Sequence, residues 1–209
     1  RILLARFDRA AIEGDLKRRG EHWLPQAVRR VASGQLAQHA QGLLRLSPQA
    51  ITRDVSGAPI WPDDHSGSFS HWQDWSACVM ARGAKCDFGI DVEGIIDSGT
   101  SRDIRTDVLD DIEIDHIRAG NQPRLTTETL IFSAKESFFK AAFPRVGRFF
   151  GFDELRLDVP PQRGYLRFRV VHGLAETLKT DLRVDVQYKT YDDFVLTWCA
   201  LPQSSDVSM

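Results

Sequence analysis

The chain has 209 residues, 42% of them hydrophobic, and carries 27 basic against 29 acidic side chains for a net charge of −2. That is enough apolar material for one large core or two small ones, and too even a charge for a nucleic-acid or membrane-surface protein. Three scattered cysteines (Cys78, Cys86, Cys199) with no C-x-x-C pair and no zinc spacing exclude a disulfide framework and fit a reducing, cytoplasmic setting.

In chain order, "RILLARF" is too short and too soon charged for a signal peptide, and no apolar run reaches the roughly 20 residues that span a bilayer. His22 to Leu46 reads as a helix, with Trp23, Val28, Val31 and Leu36 apolar and Arg29 and Arg30 basic. "SPQAITRDVSGAPIWPDDHSG" reads as a loop, and "SFSHWQDWSACVMAR" as a turn followed by a strand over Trp75 to Ala81. In "CDFGIDVEGI" a period of two sets Phe88, Ile90 and Val92 against Gly89, Asp91 and Glu93, so this is a strand with both acids on one face. Arg102 to Ala119 reads as one acidic helix with Ile104, Val108 and Ile112 inward. Thr126 to Phe143 is a strong helix, capped by Thr126 or Thr127 and ended by Pro144. "ELRLDV", "YLRFRVV", "RVDVQYKT" and "FVLTWCAL" read as strands, with a short helix at Leu174 to Lys179. The alternation of strands and helices in both parts predicts an α+β fold in two halves, 1–86 and 87–209.

The chemistry concentrates in "FSAKESFFKAAF". On a helix, Leu130, Ala134, Phe138 and Ala141 share one face, while Phe132, Phe139 and Phe143 flank Glu136 on another. Two apolar faces imply an inner helix, with Glu136 at the rim of apolar surface. A lone carboxylate there favours its proton, and several meeting at one point repel. A divalent cation removes both objections, and all-oxygen ligands from Asp91, Glu93 and Glu136 favour Mg²⁺. The plainer alternative stays open at this point: Glu136 and Lys140 at i, i+4 also form an ordinary surface pair worth about 0.2–0.5 kcal/mol.

A third element is "PIWPDDHSGSFSH". A Gly-Ser turn with exposed N–H groups holds a phosphate, and His71 donates to its oxygen, or the histidine simply completes a turn. Trp61, Trp72 and Trp75 read as packing residues, and His22, His39, His65, His116 and His172 as surface residues. In "FPRVGRFF", Arg145 and Arg148 beside Phe149 and Phe150 form either a docking surface for an acidic partner or a loop with its phenylalanines packed inward.

"PIWPDDHSGSFSH", "GIDVE" and "FSAKESFFK" resemble, in this order, the three motifs of the 4′-phosphopantetheinyl transferases, of the larger monomeric type that activates siderophore, peptide and polyketide synthases. The resemblance runs from about Arg29 to Phe143. It implies two pseudo-twofold-related α+β halves with coenzyme A in the cleft between them. It also implies transfer of 4′-phosphopantetheine to a serine of an acyl or peptidyl carrier protein, with release of adenosine 3′,5′-bisphosphate. Asp91, Glu93 and Glu136 match the Mg²⁺-binding acids. Glu136 also matches the base for the carrier serine, a role that a water at the metal could fill instead. Lys140 matches a lysine on the coenzyme phosphates that assists the leaving group, and Lys135 a second basic residue. Ser70, His71 and Arg53 match coenzyme-phosphate contacts, and Arg29 or Arg30 reach the same phosphates. Asp64 stands where the family usually has glycine, and Gln35 where it has an arginine.

Two rivals predict other features. A Mg²⁺-dependent nuclease predicts a basic groove and an E-x-K pair, whereas here the order is Lys135-Glu136. A non-catalytic module binding coenzyme A or a carrier protein predicts loss of an acid or lysine from the motifs, yet all five are present.

Overall fold

The described residues of the computed structural model (2–21, 24–83, 85–171, 173–178 and 183–203) belong to two units, Arg1–Ala84 and Lys85–Met209. The fold class is α+β, as the alternation of patterns predicts. Cys86, expected to close the first half, instead opens the first strand of the second unit. Among the described residues no helix is long and apolar enough to cross a membrane.

The first unit runs β1 (Ile2–Arg6), α1 (Arg9–Arg18), α2 (Pro25–Leu43), β2 (Thr52–Arg53), β3 (Pro59–Ile60), β4 (His65–Trp72) and β5 (Trp75–Arg82). Its main sheet is antiparallel in the order β1-β5-β4. Asp8 starts α1 by accepting from the Ala11 N–H at 3.0 Å. Pro25 opens α2 at the position where a missing N–H costs nothing. The expected start of that helix, His22 and Trp23, lies outside the described residues. Val28, Ala32, Leu36 and Ala40 recur at helical spacing and are buried, and Leu36 and Ala40 pack on Cys78 and Met80 of β5.

One expectation is overturned here. Gly67 and Ser68 do not form a phosphate-holding turn; they lie within β4, paired with Met80 and Val79 of β5. The pattern is hidden because β4 alternates Ser66, Ser68 and Ser70 with His65, Gly67, Phe69 and His71, and its two-residue turn has no glycine. Gln73 takes the positive φ of 47° there. Gly67 is required for a different reason: a Cβ would stand 2.4 Å from the Val79 carbonyl oxygen and 2.8 Å from the Trp61 ring. Trp61 itself stacks on Phe69, with centroids 4.7 Å apart, a packing role as expected.

The second unit runs β6 (Cys86–Gly94), α3 (Ser98–Asp107), α4 (Asp111–Ala119), α5 (Arg124–Val146), β7 (Leu155–Leu157), β8 (Tyr165–Val170), α6 (Leu174–Leu178), β9 (Arg183–Thr190) and β10 (Phe194–Pro202). The sheet is antiparallel in the order β6-β10-β9-β8-β7. The long helix α5 shares a core with it, in which Leu130, Ala134, Phe138 and Ala141 are fully buried with Phe168, Val186 and Val195. Each of the leucine, phenylalanine and valine side chains contributes about 1.5–3 kcal/mol. Lys179, the expected last residue of α6, lies outside the described residues, as does His172.

Two helix predictions are corrected. The acidic helix is two helices, because Asp110 starts a new one: it accepts from the Glu113 N–H at 2.9 Å while Glu113 accepts from the Asp110 N–H at 3.1 Å. That restart changes the phase, so Ile112 faces solvent and Glu113 is buried. The long helix does not end at Pro144, which sits in its last turn; Gly147 ends it, at a φ of 64°. Neither Thr126 nor Thr127 caps it, because its N-cap is Pro123.

Candidate functional site

The two most specific motifs meet where β6 crosses α5. Gly89, Asp91 and Glu93 share one face of β6, and Gly89 lets the helix come close: a Cβ there would stand 1.7 Å from the Ser137 carbonyl oxygen. Two positions along, Asp91 meets α5 directly. Lys140 Nζ donates to Asp91 Oδ1 at 2.6 Å and to the Ile90 carbonyl at 3.3 Å. Ser133 Oγ donates to Asp91 Oδ2 at 2.7 Å. Lys140 is half-buried and Asp91 buried, so the pair is partly shielded from solvent.

Glu93 and Glu136 complete a cluster of one sign. Burial pushes the Glu93 carboxyl up to about 7, and the charge of Asp91 adds to the rise against the pull of Lys140. Burial also raises Glu136, opposed by Lys140 and reinforced by Asp91. Among the described residues no three acids or histidines are drawn close enough together to hold a metal ion. The chemistry of the set nonetheless suits a hard cation: the donors are all carboxylate oxygens, they repel one another, and Mg²⁺ takes only one or two of them beside water and phosphate.

An apolar pocket of about 280 Å³ opens beside Glu136, lined by Phe139, Phe149, Phe150, Phe152 and Leu155 among others. Phe139 stacks on Phe149 at 5.5 Å and meets Phe150 at 4.9 Å. The "FPRVGRFF" segment thus divides. Phe149 is 78% exposed and Arg148 is exposed, whereas Phe150 packs into the core. Arg145 is withdrawn from any docking role: it donates to Asp87 Oδ2 at 2.5 Å and to the Leu201 carbonyl at 2.6 Å.

Lys135, expected to contact the coenzyme, is 3% exposed and directed elsewhere. Its ammonium donates to Glu113 Oε2 at 2.8 Å, the Val108 carbonyl at 2.8 Å and the Phe152 carbonyl at 3.2 Å. An ammonium has three hydrogens, and all three are engaged inside the fold. Burial lowers its pKa, with Glu113 opposing the shift. Lys135 is therefore a structural cation joining α5, α4 and the segment before β7.

In the first unit, Arg53 is exposed on β2 and donates to the Gly57 carbonyl at 2.5 Å. Ser70 is buried on β4, and His71, next along, is exposed. On α2, Arg30 is exposed, while the half-buried Arg29 carries a buried Nε with no partner. His65, expected at the surface, is half-buried, with Nδ1 2.7 Å from the Asp63 carbonyl oxygen.

The profile of the 4′-phosphopantetheinyl transferase superfamily matches residues 87–199, more than half the chain. The chain belongs to this superfamily. A second profile, the 4′-phosphopantetheinyl transferase N-terminal domain, matches residues 11–81. The chain is 35% identical over 144 residues to 4′-phosphopantetheinyl transferase Svp of Streptomyces mobaraensis, covering 65% of this chain and 55% of that protein. It is 32% identical over 145 residues to enterobactin synthase component D of Salmonella austin, covering 65% and 60%. To 4′-phosphopantetheinyl transferase PptT of Mycobacterium tuberculosis it is 31% identical over 149 residues, covering 68% and 58%. The matched region thus spans less than two thirds of the length of these relatives.

At the position where the resemblance implies glycine, Asp64 has a backbone that glycine would favour. Asp64 has a φ of 59°, the left-handed region that glycine favours and aspartate tolerates. Its carboxylate lies 3.8 Å from Arg82 Nε and is well exposed. Three residues that shape the site escaped the sequence reading: Ser133, Thr197 and Glu113. Small hydroxyls have no motif of their own, although Thr197 directly opposite Asp91 was readable once the strand register was known.

Proposed function

We propose that this chain transfers 4′-phosphopantetheine from coenzyme A to a serine of an acyl or peptidyl carrier protein, in a Mg²⁺-dependent reaction that releases adenosine 3′,5′-bisphosphate. The observation that carries the reading is the Lys140–Asp91 pair at 2.6 Å, which ties the second motif to the third within one cluster of acids. In the transfer, the serine oxygen bonds to the phosphorus that carries the pantetheine, and the pyrophosphate P–O bond breaks. Glu136, raised above the ordinary carboxylate range by burial, is suited to take the serine proton. Lys140 is placed to meet negative charge growing on the leaving phosphate. Asp91, Glu93 and Glu136 would hold Mg²⁺, which when bound neutralises charge on the phosphate oxygens.

The apolar pocket beside Glu136 suits the uncharged pantetheine arm. Arg29, with its unpartnered buried Nε, and Arg30, Arg53, Ser70 and His71 are the candidates for coenzyme phosphate contacts on the first unit. A monomer in a reducing, cytoplasmic setting belongs to the same reading, with Cys78, Cys86 and Cys199 all free thiols.

The test is to mix apo-carrier, coenzyme A and Mg²⁺ and weigh the carrier. One phosphopantetheine mass should be gained, and Glu136→Gln should abolish the gain. Coenzyme binding with no mass gain on any acyl or peptidyl carrier would replace the enzyme with a binding module.

A further inference from the structure

Three fully buried hydroxyls stand in line behind Asp91: Ser133 and Ser137 on α5 and Thr197 on β10. Ser133 Oγ lies 2.7 Å from Asp91 Oδ2 and 2.9 Å from Thr197 Oγ1. Ser137 Oγ lies 2.7 Å from Thr197 Oγ1 and 3.0 Å from the Thr197 carbonyl oxygen.

Counting hydrogens fixes the Asp91 end of this row. The ionised carboxylate, paired with the Lys140 ammonium, has no hydrogen to give, so the single hydrogen of Ser133 goes to Asp91. Thr197 has one hydrogen, with the Ser133 carbonyl and Ser133 Oγ both 2.9 Å away as acceptors. Ser137 has one hydrogen, with the Thr197 carbonyl at 3.0 Å and the Thr197 hydroxyl at 2.7 Å in reach.

The row fixes which Asp91 oxygen faces which neighbour. A carboxylate turns about its last bond in a broad, two-fold well. Here Oδ2 is held by Ser133, and Oδ1 is the oxygen left towards Lys140. Asp91 and Thr197 are register partners across β6 and β10, so the strand pair itself places the row.

We infer that Ser133, backed by Thr197, is a positioning residue that locks the Asp91 carboxylate so that Oδ1 alone is presented to Lys140 and to the divalent cation. The inference rests on the proposed function, in which Asp91 is one of the Mg²⁺ acids. Removing an outer partner of a metal-binding carboxylate lowers metal affinity about 10- to 100-fold.

The experiment titrates Mn²⁺ by electron paramagnetic resonance in the presence of coenzyme A and without carrier. Ser133→Ala should weaken Mn²⁺ binding by about 10- to 100-fold, and Ser133→Thr, which keeps the hydroxyl, should restore it. Thr197→Val, nearly equal in volume, should weaken binding less and retain the parent circular dichroism spectrum. At saturating Mg²⁺ the transfer rate of Ser133→Ala should recover towards the parent, a split that a general loss of structure would not produce. Parent-like Mn²⁺ affinity in both Ser133→Ala and Thr197→Val, with Asp91→Asn abolishing it, would overturn the positioning role and leave the proposed function standing. Parent-like Mn²⁺ binding and transfer in Asp91→Asn would overturn both.

Discussion

Helix α5 carries two lysine–acid pairs five residues apart, and they are opposites. Lys135 and Glu113 are 2% and 1% exposed in their side chains, and every ammonium hydrogen has a partner. Glu113 is equally occupied, accepting also from the Leu157 and Asp110 N–H groups. Lys140 is 28% exposed, and its pair lies beside two further acids, both with raised pKa values. The first pair is closed and joins elements of the core. The second is open and lies in a field of like charges, the condition in which a bound cation or phosphate changes the balance most. Identical chemistry on one helix becomes structural or functional according to what else reaches it.

Four experiments break or sharpen that contrast. The largest effect is expected from Glu113→Ala, which leaves Lys135 buried with an unpaired charge. It should lower stability by about 3–5 kcal/mol in denaturant titration, a large share of a typical domain's total. Next, Gly89→Ala places a Cβ against a helix carbonyl that cannot swing away, and should cost about 3 kcal/mol, the upper range for overpacking. It should also reduce transfer, because α5 is pushed off the strand that carries Asp91.

Lys140→Ala should show the reverse pattern. Transfer should fall about 10²–10³-fold, as for loss of one charge-stabilising donor, while the loss of stability stays smaller than for Glu113→Ala, because Lys140 is half-buried where Lys135 is enclosed and Asp91 keeps the Ser133 hydroxyl. If Lys140→Ala unfolded the chain as Glu113→Ala does, the contrast would be lost. The smallest effect belongs to an exposed cluster. Asp158 is held below its ordinary value first by Arg183 and then by Arg169. A lowered carboxylate contributes stability above its unfolded pKa and loses it as pH falls through the folded one. Asp158→Asn should therefore cost less than about 1 kcal/mol at neutral pH and nothing once the pH has fallen below the lowered value of the folded carboxyl. Melting temperatures of parent and variant should converge on acidification.

Much of the second unit was legible. Alternation in "CDFGIDVEGI" marks β6 and puts Gly89, Asp91 and Glu93 on one face, and the two apolar faces of "FSAKESFFKAAF" mark α5 as an inner helix. The first unit was less so. The strand β1 and helix α1 carry weak patterns, with Ile12 and Leu16 the buried residues of α1. In β4 one face is Ser66, Ser68 and Ser70 and the other His65, Gly67, Phe69 and His71, so no hydrophobic period marks the strand.

From residue order alone, the spacing of acids and lysines, the strand face and the helix face were determined, because periods of two and 3.6 are properties of the local backbone. Only the tertiary structure decided which lysine is enclosed in the core and which lies among the acids of the site. Lys135 and Lys140 look alike in the chain, and what separates them is Glu113, which arrives from α4 with a phase reset by the Asp110 cap. Burial and partner geometry depend on contacts between residues far apart in the chain, and these have no period to read.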